Sequence, residues 1–315
     1  MSLNYKPKKK DKVVIFGHKG LIGSALINEL NNRKYKNIIC VTKKKLNLLN
    51  DRKVTEFFFK KKPDIVIIAA ARVGGIYANK TFPFNFLYEN LTIQNNIIRS
   101  SIKYKCKKLI FLGSSCIYPR LSKQPIKEKY LLTGPLEETN DAYAIAKIAG
   151  LKMCEFYSKL HNLNFKTLMP PNLYGPNDNY NLNESHFYPA LIKKIHIAKI
   201  KKKSEIILWG TGKPKRELMF VYDFADAVIF FMNKKIRESF INIGTGKYFS
   251  IIWYAKFIMR KLNIKLRIKF DKSKPDGTPK KCLDITRAKK YGWKPKNNFH
   301  EGTKITYDSF LKKET

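Results

Sequence analysis

Side chains suited to proton transfer occur in a defined order in this sequence. Tyr143 and Lys147 are four residues apart, so a helix would place both on one face. An ammonium close to a phenol lowers the pKa of the phenol by favouring the phenolate. Ser114 and Cys116 precede this pair. A hydroxyl, an acidified phenol and a lysine beside a dinucleotide would move a proton while a hydride moves, which predicts carbonyl reduction.

A glycine-spaced loop near the N-terminus predicts the dinucleotide site. Residues 13–16 are apolar and predict a buried strand, and the amphipathic residues 24–30 predict a helix. Between them stand Gly17, Gly20 and Gly23, whose spacing is GxxGxxG rather than GxGxxG. A structural turn is the alternative, but strand, glycine loop and helix together favour pyrophosphate binding at the helix N-terminus. The predicted contacts are Gly17, His18, Lys19, Gly20, Leu21, Ile22 and Gly23.

The end of the second predicted strand bears on which dinucleotide binds. Residues 40–45 read Cys-Val-Thr-Lys-Lys-Lys and contain no Asp or Glu to bind a ribose 2′-hydroxyl. The missing acid and Lys43 favour a 2′-phosphate, and hence NADP (NADPH), over NAD. Because lysine is abundant throughout the chain, a solvated run of charge is the competing interpretation.

Alternating strand and helix patterns predict an α/β fold with a doubly wound parallel sheet of the Rossmann type. Strands are expected at 13–16, 38–42, 65–70, 108–112 and 165–168, and helices at 52–61, 84–104 and 142–160. We expect residues 1–175 to form the NADP-binding domain and residues 176–315 to form mainly a smaller C-terminal substrate-binding lobe. Later segments, 220–232 and 241–244, are expected to return to the main sheet.

Composition limits the class of protein. The 315 residues are 44% hydrophobic, which is typical of a folded protein, and the longest apolar run, 65–71, is far shorter than the roughly 20 residues of a membrane helix. The net charge of +39 is spread along the chain without base-reading motifs, so we expect no specific nucleic-acid partner. Five scattered cysteines without CxxC spacing predict reduced thiols, a cytoplasmic location and no metal site.

Longer strings carry a resemblance to a known family. They are AARVGGI at 70–76, GSSCIYP at 113–119, LEETNDAYAIAKIAG at 136–150, NLYGPNDN at 172–179, WGTGKPKRE at 209–217 and KPDGTP at 274–279. Together with the tyrosine and lysine pair, they resemble the extended short-chain dehydrogenase/reductases that act on nucleotide sugars. Within that family, residues 12–310 resemble the epimerase-reductases that make GDP-L-fucose.

The resemblance implies an epimerisation followed by a reduction. GDP-4-dehydro-6-deoxy-D-mannose would be epimerised at the sugar carbons C3 and C5 by Cys116 and His186, and its C4 ketone would be reduced with NADPH by Ser114, Tyr143 and Lys147. Both epimerised carbons flank a ketone, so their protons are acidic, and inversion needs two groups. Without the resemblance, Cys116 would be a buried apolar residue and His186 a loop histidine.

The resemblance also implies binding residues and a homodimer. The residues implied to bind GDP are Lys194, Trp209, Arg216 and Asp276. The further residues implied to contact the cofactor are Gly113, Ser114, Lys147, Pro170, Pro171, Asn172, Leu173 and His186. Lys194 stands where arginine is expected, which removes bidentate geometry, and Pro171 stands where threonine is expected, which removes a backbone donor. The helices at 84–104 and 142–160 pair across the two-fold axis in relatives.

Other functions remain open from the sequence. A nucleotide-sugar 4-epimerase or 4,6-dehydratase would retain NAD and reuse its hydride, so it would not consume NADPH. A non-catalytic dinucleotide-binding or nucleic-acid-binding protein is the more distant alternative, and the complete set of proton-transfer residues argues against it.

Overall fold

A computed structural model describes residues 5–161 and 164–314 of the chain. The strands are β1 (Lys12–Phe16), β2 (Asn37–Cys40), β3 (Ile65–Ile68), β4 (Lys108–Leu112), β5 (Asn164–Met169), β6 (Asn172–Tyr174), β7 (Glu205–Trp209), β8 (Lys215–Phe220), β9 (Phe240–Asn242), β10 (Tyr248–Ser250), β11 (Arg267–Asp271) and β12 (Lys280–Lys281). The helices are α1 (Leu21–Asn32), α2 (Asp51–Lys61), α3 (Ile76–Thr81), α4 (Pro83–Lys103), α5 (Asp141–His161), α6 (Phe187–Ile200), α7 (Val221–Asn233), α8 (Ile251–Lys261), α9 (Thr286–Lys290) and α10 (Phe299–Glu314).

A six-stranded parallel sheet forms the centre of the fold, in the order β2-β1-β3-β4-β5-β9. Its inner strands are apolar on both faces because helices cover both faces. Alternate residues of β1 show this: Val13 and Ile15 pack with α1 and α7, whereas Val14 and Phe16 pack with α2 and α4. The predicted doubly wound parallel sheet is confirmed. The helices predicted at 52–61, 84–104 and 142–160 differ from the observed ones by one residue at each end at most, whereas the helix predicted at 24–30 is longer and runs over Leu21–Asn32.

A second body is built from the short strands and the later helices. Strand β8 pairs with β6, β10 and β12, and β7 pairs with β11. Helices α6, α8 and α10 enclose an aromatic-rich core beside them. Strand β9 pairs with β5 in the central sheet, and α7 packs with α1, so residues after 175 contribute to both bodies. The division at residue 175 stays a prediction.

The carboxyl ends of the central strands face this second body. Parallel sheets bind ligands at that edge, where the loops after the strands gather. The loops after β1, β3, β4 and β5 line a cavity of about 1280 Å³ together with residues of the second body. Across residues 5–161 and 164–314, none of the helices combines the length and apolarity of a membrane crossing.

Candidate active site

One cavity collects almost all of the residues that the sequence analysis selected. From the central sheet and its loops these are Gly17, His18, Lys19, Gly20, Leu21, Ile22, Gly23, Lys43, Gly113, Ser114, Cys116, Tyr143, Pro170, Pro171, Asn172 and Leu173. From the second body they are His186, Lys194, Trp209, Arg216 and Asp276. Lys147 is the exception, because it is 4% exposed and lies behind the wall of the cavity.

The glycine loop brings β1 and the N-terminus of α1 close together. Gly17 has a φ of +90°, and a Cβ there would lie 2.7 Å from the backbone of Ala69 and Ala70. A Cβ on Gly23 would lie 2.1 Å from the carbonyl oxygen of Gly17. Helix α1 begins after Gly20 without a side-chain cap, so its first backbone N–H groups have no side-chain acceptor at the cavity. This geometry fits a pyrophosphate bound at a helix N-terminus.

The other side of the loop fits an adenosine with a 2′-phosphate. Val41, Thr42 and Lys43 follow β2 and line the cavity, with Lys19 opposite in the glycine loop. The cavity segment after β2 carries ammonium groups and no carboxylate. Cationic side chains attract the additional phosphate of NADP, whereas a carboxylate would bind a free ribose hydroxyl. The residues present therefore fit NADP.

Ser114 and Tyr143 face each other at the end of β4. The hydroxyl of Ser114 accepts a hydrogen bond of 3.2 Å from the backbone N–H of Cys116, which fixes its orientation. Tyr143 lies in the first turn of α5, half-buried, with its ring packed edge-on against Phe86. A hydroxyl and a phenol on adjacent elements form a pair of donors for one oxygen atom of a bound carbonyl compound.

The surroundings set the proton affinity of this pair. Burial raises the pKa of Tyr143, the nearby Cys116 thiol adds to that rise, and the hydrogen bond with Ser114 opposes it. Burial lowers the pKa of Lys147 to about 8, and its Nζ donates a 2.9 Å hydrogen bond to the carbonyl of Leu112. Nζ lies 5.7 Å from the centre of the Tyr143 ring. The expectation that the lysine lowers the pKa of the phenol is wrong for this structure, because burial dominates.

Two polar side chains contact the sulfur of Cys116. The Nδ2 of Asn140 lies 3.4 Å from Sγ, and the Nζ of Lys281 lies 3.6 Å from it. Cys116 sits in a single 3-10 turn, residues 115–117, directly after Ser114. Cys116 therefore has polar partners in the cavity rather than a purely apolar surrounding, and its role as an acid/base group stays a prediction.

His186 approaches the same cavity from the second body. It precedes the first residue of α6 and makes no capping hydrogen bond with its side chain. The imidazole is accessible from the cavity. Although the residue is exposed to the cavity, the protein packed around the imidazole lowers its pKa, and the charge of Lys281 lowers it further. A neutral imidazole near an ammonium is suited to accept a proton and to return one.

Trp209 marks the far end of the cavity. Trp209 is 39% exposed, and two ammonium groups lie over its ring. The Nζ of Lys194 is 5.0 Å and the Nζ of Lys274 is 5.6 Å from the ring centre. The Nζ of Lys194 also donates a 3.0 Å hydrogen bond to the carbonyl of Ile207. Here Lys194 therefore packs against an aromatic face, as a cation–π partner. Its predicted contact with the nucleotide stays a prediction.

Arg216 and Asp276 join β8 to the segment before β12. The guanidinium of Arg216 lines the cavity and donates a 3.2 Å hydrogen bond to the carbonyl of Asp276. Both carboxylate oxygens of Asp276 accept 2.7 Å hydrogen bonds from Thr211, one from its backbone N–H and one from its hydroxyl. Asp276 thus holds the turn after Trp209, while Arg216 remains the group suited to a phosphate.

Pro170 and Pro171 form the cavity wall after β5. The carbonyl of Pro170 accepts a 3.0 Å hydrogen bond from Ser115, which ties this wall to the Ser114 turn. Pro171 lines the cavity without a backbone N–H, so any ligand polar atom beside it must be bound by other groups. Asn172 and Leu173 continue the wall as part of β6.

The sequence analysis missed Asn140 and Lys281, the two contacts of the Cys116 sulfur. Asn140 stands three residues before Tyr143 within a string already singled out, so its position carried a usable signal. Lys281 is one of many lysines, and only the pairing of β12 with β8 brings it to the cavity. In the part of the chain described, no group of three or more His, Cys, Asp or Glu side chains is arranged to hold a metal ion.

Comparison with known proteins agrees with this architecture. Residues 13–244 match the model of the NAD dependent epimerase/dehydratase family. The chain is 46% identical to the GDP-L-fucose synthase of Sinorhizobium fredii over 95% of both chains, and 43% identical to that of Escherichia coli over 97% of this chain and 98% of the relative. The solved GDP-mannoheptose C4 reductase from Campylobacter jejuni with NADP bound is 34% identical, with a TM-score of 0.88, over 97% of this chain and 99% of that one.

The match to the family model covers the glycine loop, the Ser114 turn and the tyrosine and lysine helix. The extended short-chain reductase predicted from the motifs is confirmed at the level of the family. The chain belongs to the NAD dependent epimerase/dehydratase family, in the branch that contains the GDP-L-fucose synthases.

Proposed function

We propose that the chain is an NADPH-dependent epimerase-reductase that converts GDP-4-dehydro-6-deoxy-D-mannose to GDP-L-fucose. The observation that carries the proposal is the meeting of two kinds of chemistry in one cavity. Ser114 and Tyr143 form a carbonyl-protonating pair, and Cys116 with its polar contacts stands beside them, opposite the loop that carries His186. The curated relatives named GDP-L-fucose synthase, at 46% and 43% identity, support the choice of substrate.

Cys116 and His186 handle the protons of epimerisation. A carbon next to a ketone loses its proton to give an enolate, and inversion requires that a proton returns from the other face. Burial and, next to it, the charge of Lys281 lower the pKa of His186 and favour its uncharged imidazole, while the Nζ of Lys281 lies 3.6 Å from the Cys116 sulfur. Between the two groups, one can accept a proton while the other donates one. Ser114 stabilises the developing charge on the ketone oxygen by hydrogen bonding.

Tyr143 then protonates the same oxygen during reduction. NADPH, when bound, supplies the hydride for the C4 carbon. The raised pKa keeps the Tyr143 phenol protonated at neutral pH, so it enters the step as an acid. The Nζ of Lys147 donates a hydrogen bond to the carbonyl of Leu112, which keeps a positive charge behind the Tyr143 ring and helps to orient the phenol.

Residues at the two ends of the cavity hold the two nucleotides. The loop of residues 17–23 and Lys43 would hold NADP, with Gly113 and residues 170–173 along the nicotinamide side. Trp209 would stack on or pack against the nucleotide of the sugar substrate, and Arg216 would bind its diphosphate. Lys194 and Asp276 would act there mainly by holding Trp209 and its turn.

The proposal includes a homodimer in the cytoplasm. Large apolar side chains are exposed on the two helices that pack together on one side of the molecule, with Phe84 and Tyr88 on α4 and Phe156 and Leu160 on α5. Phe156 and Leu160 are 61% and 75% exposed. Burial of these exposed side chains against a second copy would remove apolar surface from water, which supports a two-fold interface through these helices.

A reductase without epimerisation is the second candidate. The Campylobacter jejuni neighbour carries the name C4 reductase, and its fold matches over nearly the whole chain. Such an enzyme would need Ser114, Tyr143 and Lys147 but no acid/base pair beside the sugar. The contacts of the Cys116 sulfur favour the epimerase-reductase.

The test mixes the purified protein with GDP-4-dehydro-6-deoxy-D-mannose and NADPH in D2O. We expect one NADPH oxidised per product, deuterium at both C3 and C5, and GDP-L-fucose as the product by NMR. A product that is reduced without deuterium at C3 and C5 would support the second candidate. Cys116→Ser should slow the incorporation of deuterium first, and Cys40→Ser, at an exposed cysteine that does not line the cavity, serves as the matched control.

A further inference from the structure

The Cys116 thiol lies where two separate chain segments meet. Asn140 reaches the sulfur from the turn before α5, and Lys281 reaches it from β12. The two segments are more than a hundred residues apart in sequence, so their joint approach to one atom needs a link between them. The charged and titratable groups around the thiol are Lys281, Tyr143 on α5 and Arg216 on β8.

Glu137 provides that link. Its side chain is buried, with the residue 6% exposed, and its two carboxylate oxygens point to different segments. Oε1 accepts a 3.2 Å hydrogen bond from the hydroxyl of Thr139, next to Asn140. Oε2 accepts a 3.3 Å hydrogen bond from the hydroxyl of Thr278, three residues before Lys281.

The carboxylate of Glu137 also forms an ion pair with Arg120. The Nε of Arg120 lies 3.2 Å from Oε2 of Glu137, and the backbone N–H of Arg120 donates to the carbonyl of Pro135. The backbone carbonyl of Glu137 accepts a 3.0 Å hydrogen bond from Asn140. A buried carboxylate with several donors is a rigid link, because leaving those donors without a partner is costly.

We propose that Glu137 is a positioning residue for the proton chemistry of Cys116. It holds the Asn140 turn and the Thr278 to Lys281 segment together, so that the amide and the ammonium both reach the sulfur. Glu137 lines the cavity but needs no contact with substrate in this role. The proposal rests on the proposed function only for its consequence in turnover, since the effect on the thiol is measurable without substrate.

The direction in which Glu137→Gln changes the reactivity of the Cys116 thiol distinguishes a positioning role from a simple effect of the lost charge. Removal of a nearby negative charge favours a thiolate in general, so a field effect alone would speed the alkylation of Cys116. Loss of the two contacts on the sulfur acts in the opposite direction. Glu137→Gln is therefore expected to slow the alkylation of Cys116 near neutral pH about tenfold.

The experiment follows alkylation of Cys116 by iodoacetamide between pH 6 and 10, with each cysteine peptide quantified by mass spectrometry. The exposed Cys40 is the internal reference within every sample. Glu138→Gln is the matched control, because this exposed neighbour loses the same charge without any contact to Thr278. Thr278→Val is the second variant; it keeps the carboxylate and should shift the Cys116 profile in the same direction by a smaller amount.

The proposal is overturned if Glu137→Gln leaves the Cys116 profile unchanged or speeds its alkylation while Cys40 is unaffected. It is also overturned if Thr278→Val leaves the profile unchanged. In turnover, Glu137→Gln should slow deuterium entry at C3 and C5 about tenfold with little effect on KM for NADPH. A shifted thiol profile in an enzyme with no activity on GDP-sugars would uphold the role of Glu137 and reject the proposed function.

Discussion

Separate alanine substitutions at Gly20 and Gly23 distinguish ligand binding from chain packing in the glycine loop. In Gly23→Ala the new Cβ would lie 2.1 Å from the carbonyl oxygen of Gly17 and 2.6 Å from the Cα of His18. Both are backbone atoms, so α1 must move, at a cost of about 1–3 kcal/mol. Replacing glycine within a helix returns about 1 kcal/mol. We expect the free energy of unfolding to fall by up to about 2 kcal/mol.

Gly20→Ala meets no such obstacle within the protein. Gly20 has a φ of −79°, and its Cβ would meet only the carbonyl oxygen of Gly17 at 3.5 Å. Alanine is a poorer N-cap than glycine, which costs about 1 kcal/mol at most. The methyl group nevertheless stands at the start of α1, where the pyrophosphate must approach the backbone closely. We expect NADPH affinity to fall at least about tenfold, or ~1.4 kcal/mol.

Fluorescence titration with NADPH and urea unfolding on the same preparations measure both quantities. The expected pattern is a Gly23→Ala protein that loses stability and affinity and a Gly20→Ala protein that loses mainly affinity. Wild-type NADPH affinity in Gly20→Ala would refute the reasoning, because the loop would then be a turn with no close approach to the cofactor.

Three further predictions concern the phenol, a buried lysine and the 2′-phosphate. Tyr143→Phe should reduce NADPH oxidation at least about a hundredfold while deuterium still enters C3 and C5; loss of both together would contradict the separate roles. Burial lowers the pKa of Lys108 from 10.5 to about 8 in the folded protein. Between these two values only the unfolded chain binds the proton, so the free energy of unfolding rises with pH in that window. Lys108→Met should therefore remove a rise of up to about 3 kcal/mol in unfolding free energy between pH 8 and 10.5, whereas the exposed Lys123→Met should retain it. Lys43→Met should weaken NADPH binding about tenfold and leave NADH binding unchanged, as compared by titration with both.

The central sheet was predictable because its signals are local. A buried apolar run, a glycine loop and an amphipathic helix each depend on residues close in sequence, and β1 and α1 lie where those patterns placed them. The same holds for Tyr143 and Lys147, whose spacing on α5 needs only the geometry of a helix. Apart from Lys147, which lies behind the cavity wall, the residues selected in these segments could be assigned to the cavity from the sequence.

Properties that depend on the tertiary fold could not be predicted in this way. Lys281 reaches Cys116 only because β12 pairs with β8, across 165 positions of sequence. The direction of the Tyr143 pKa was predicted wrongly, since spacing shows which charge is near but not how much water burial removes. The contacts of Asp276 with Thr211 likewise depend on a turn whose shape the sequence string does not specify.

A crystal structure with NADP+ and GDP-4-dehydro-6-deoxy-D-mannose bound tests the central claim most directly. We expect the C4 ketone oxygen within hydrogen-bonding distance of Ser114 and Tyr143, and the sulfur of Cys116 and the imidazole of His186 directed at the ring carbons beside that ketone. A liganded, closed molecule in which the sulfur or the imidazole points away from the sugar would contradict the account.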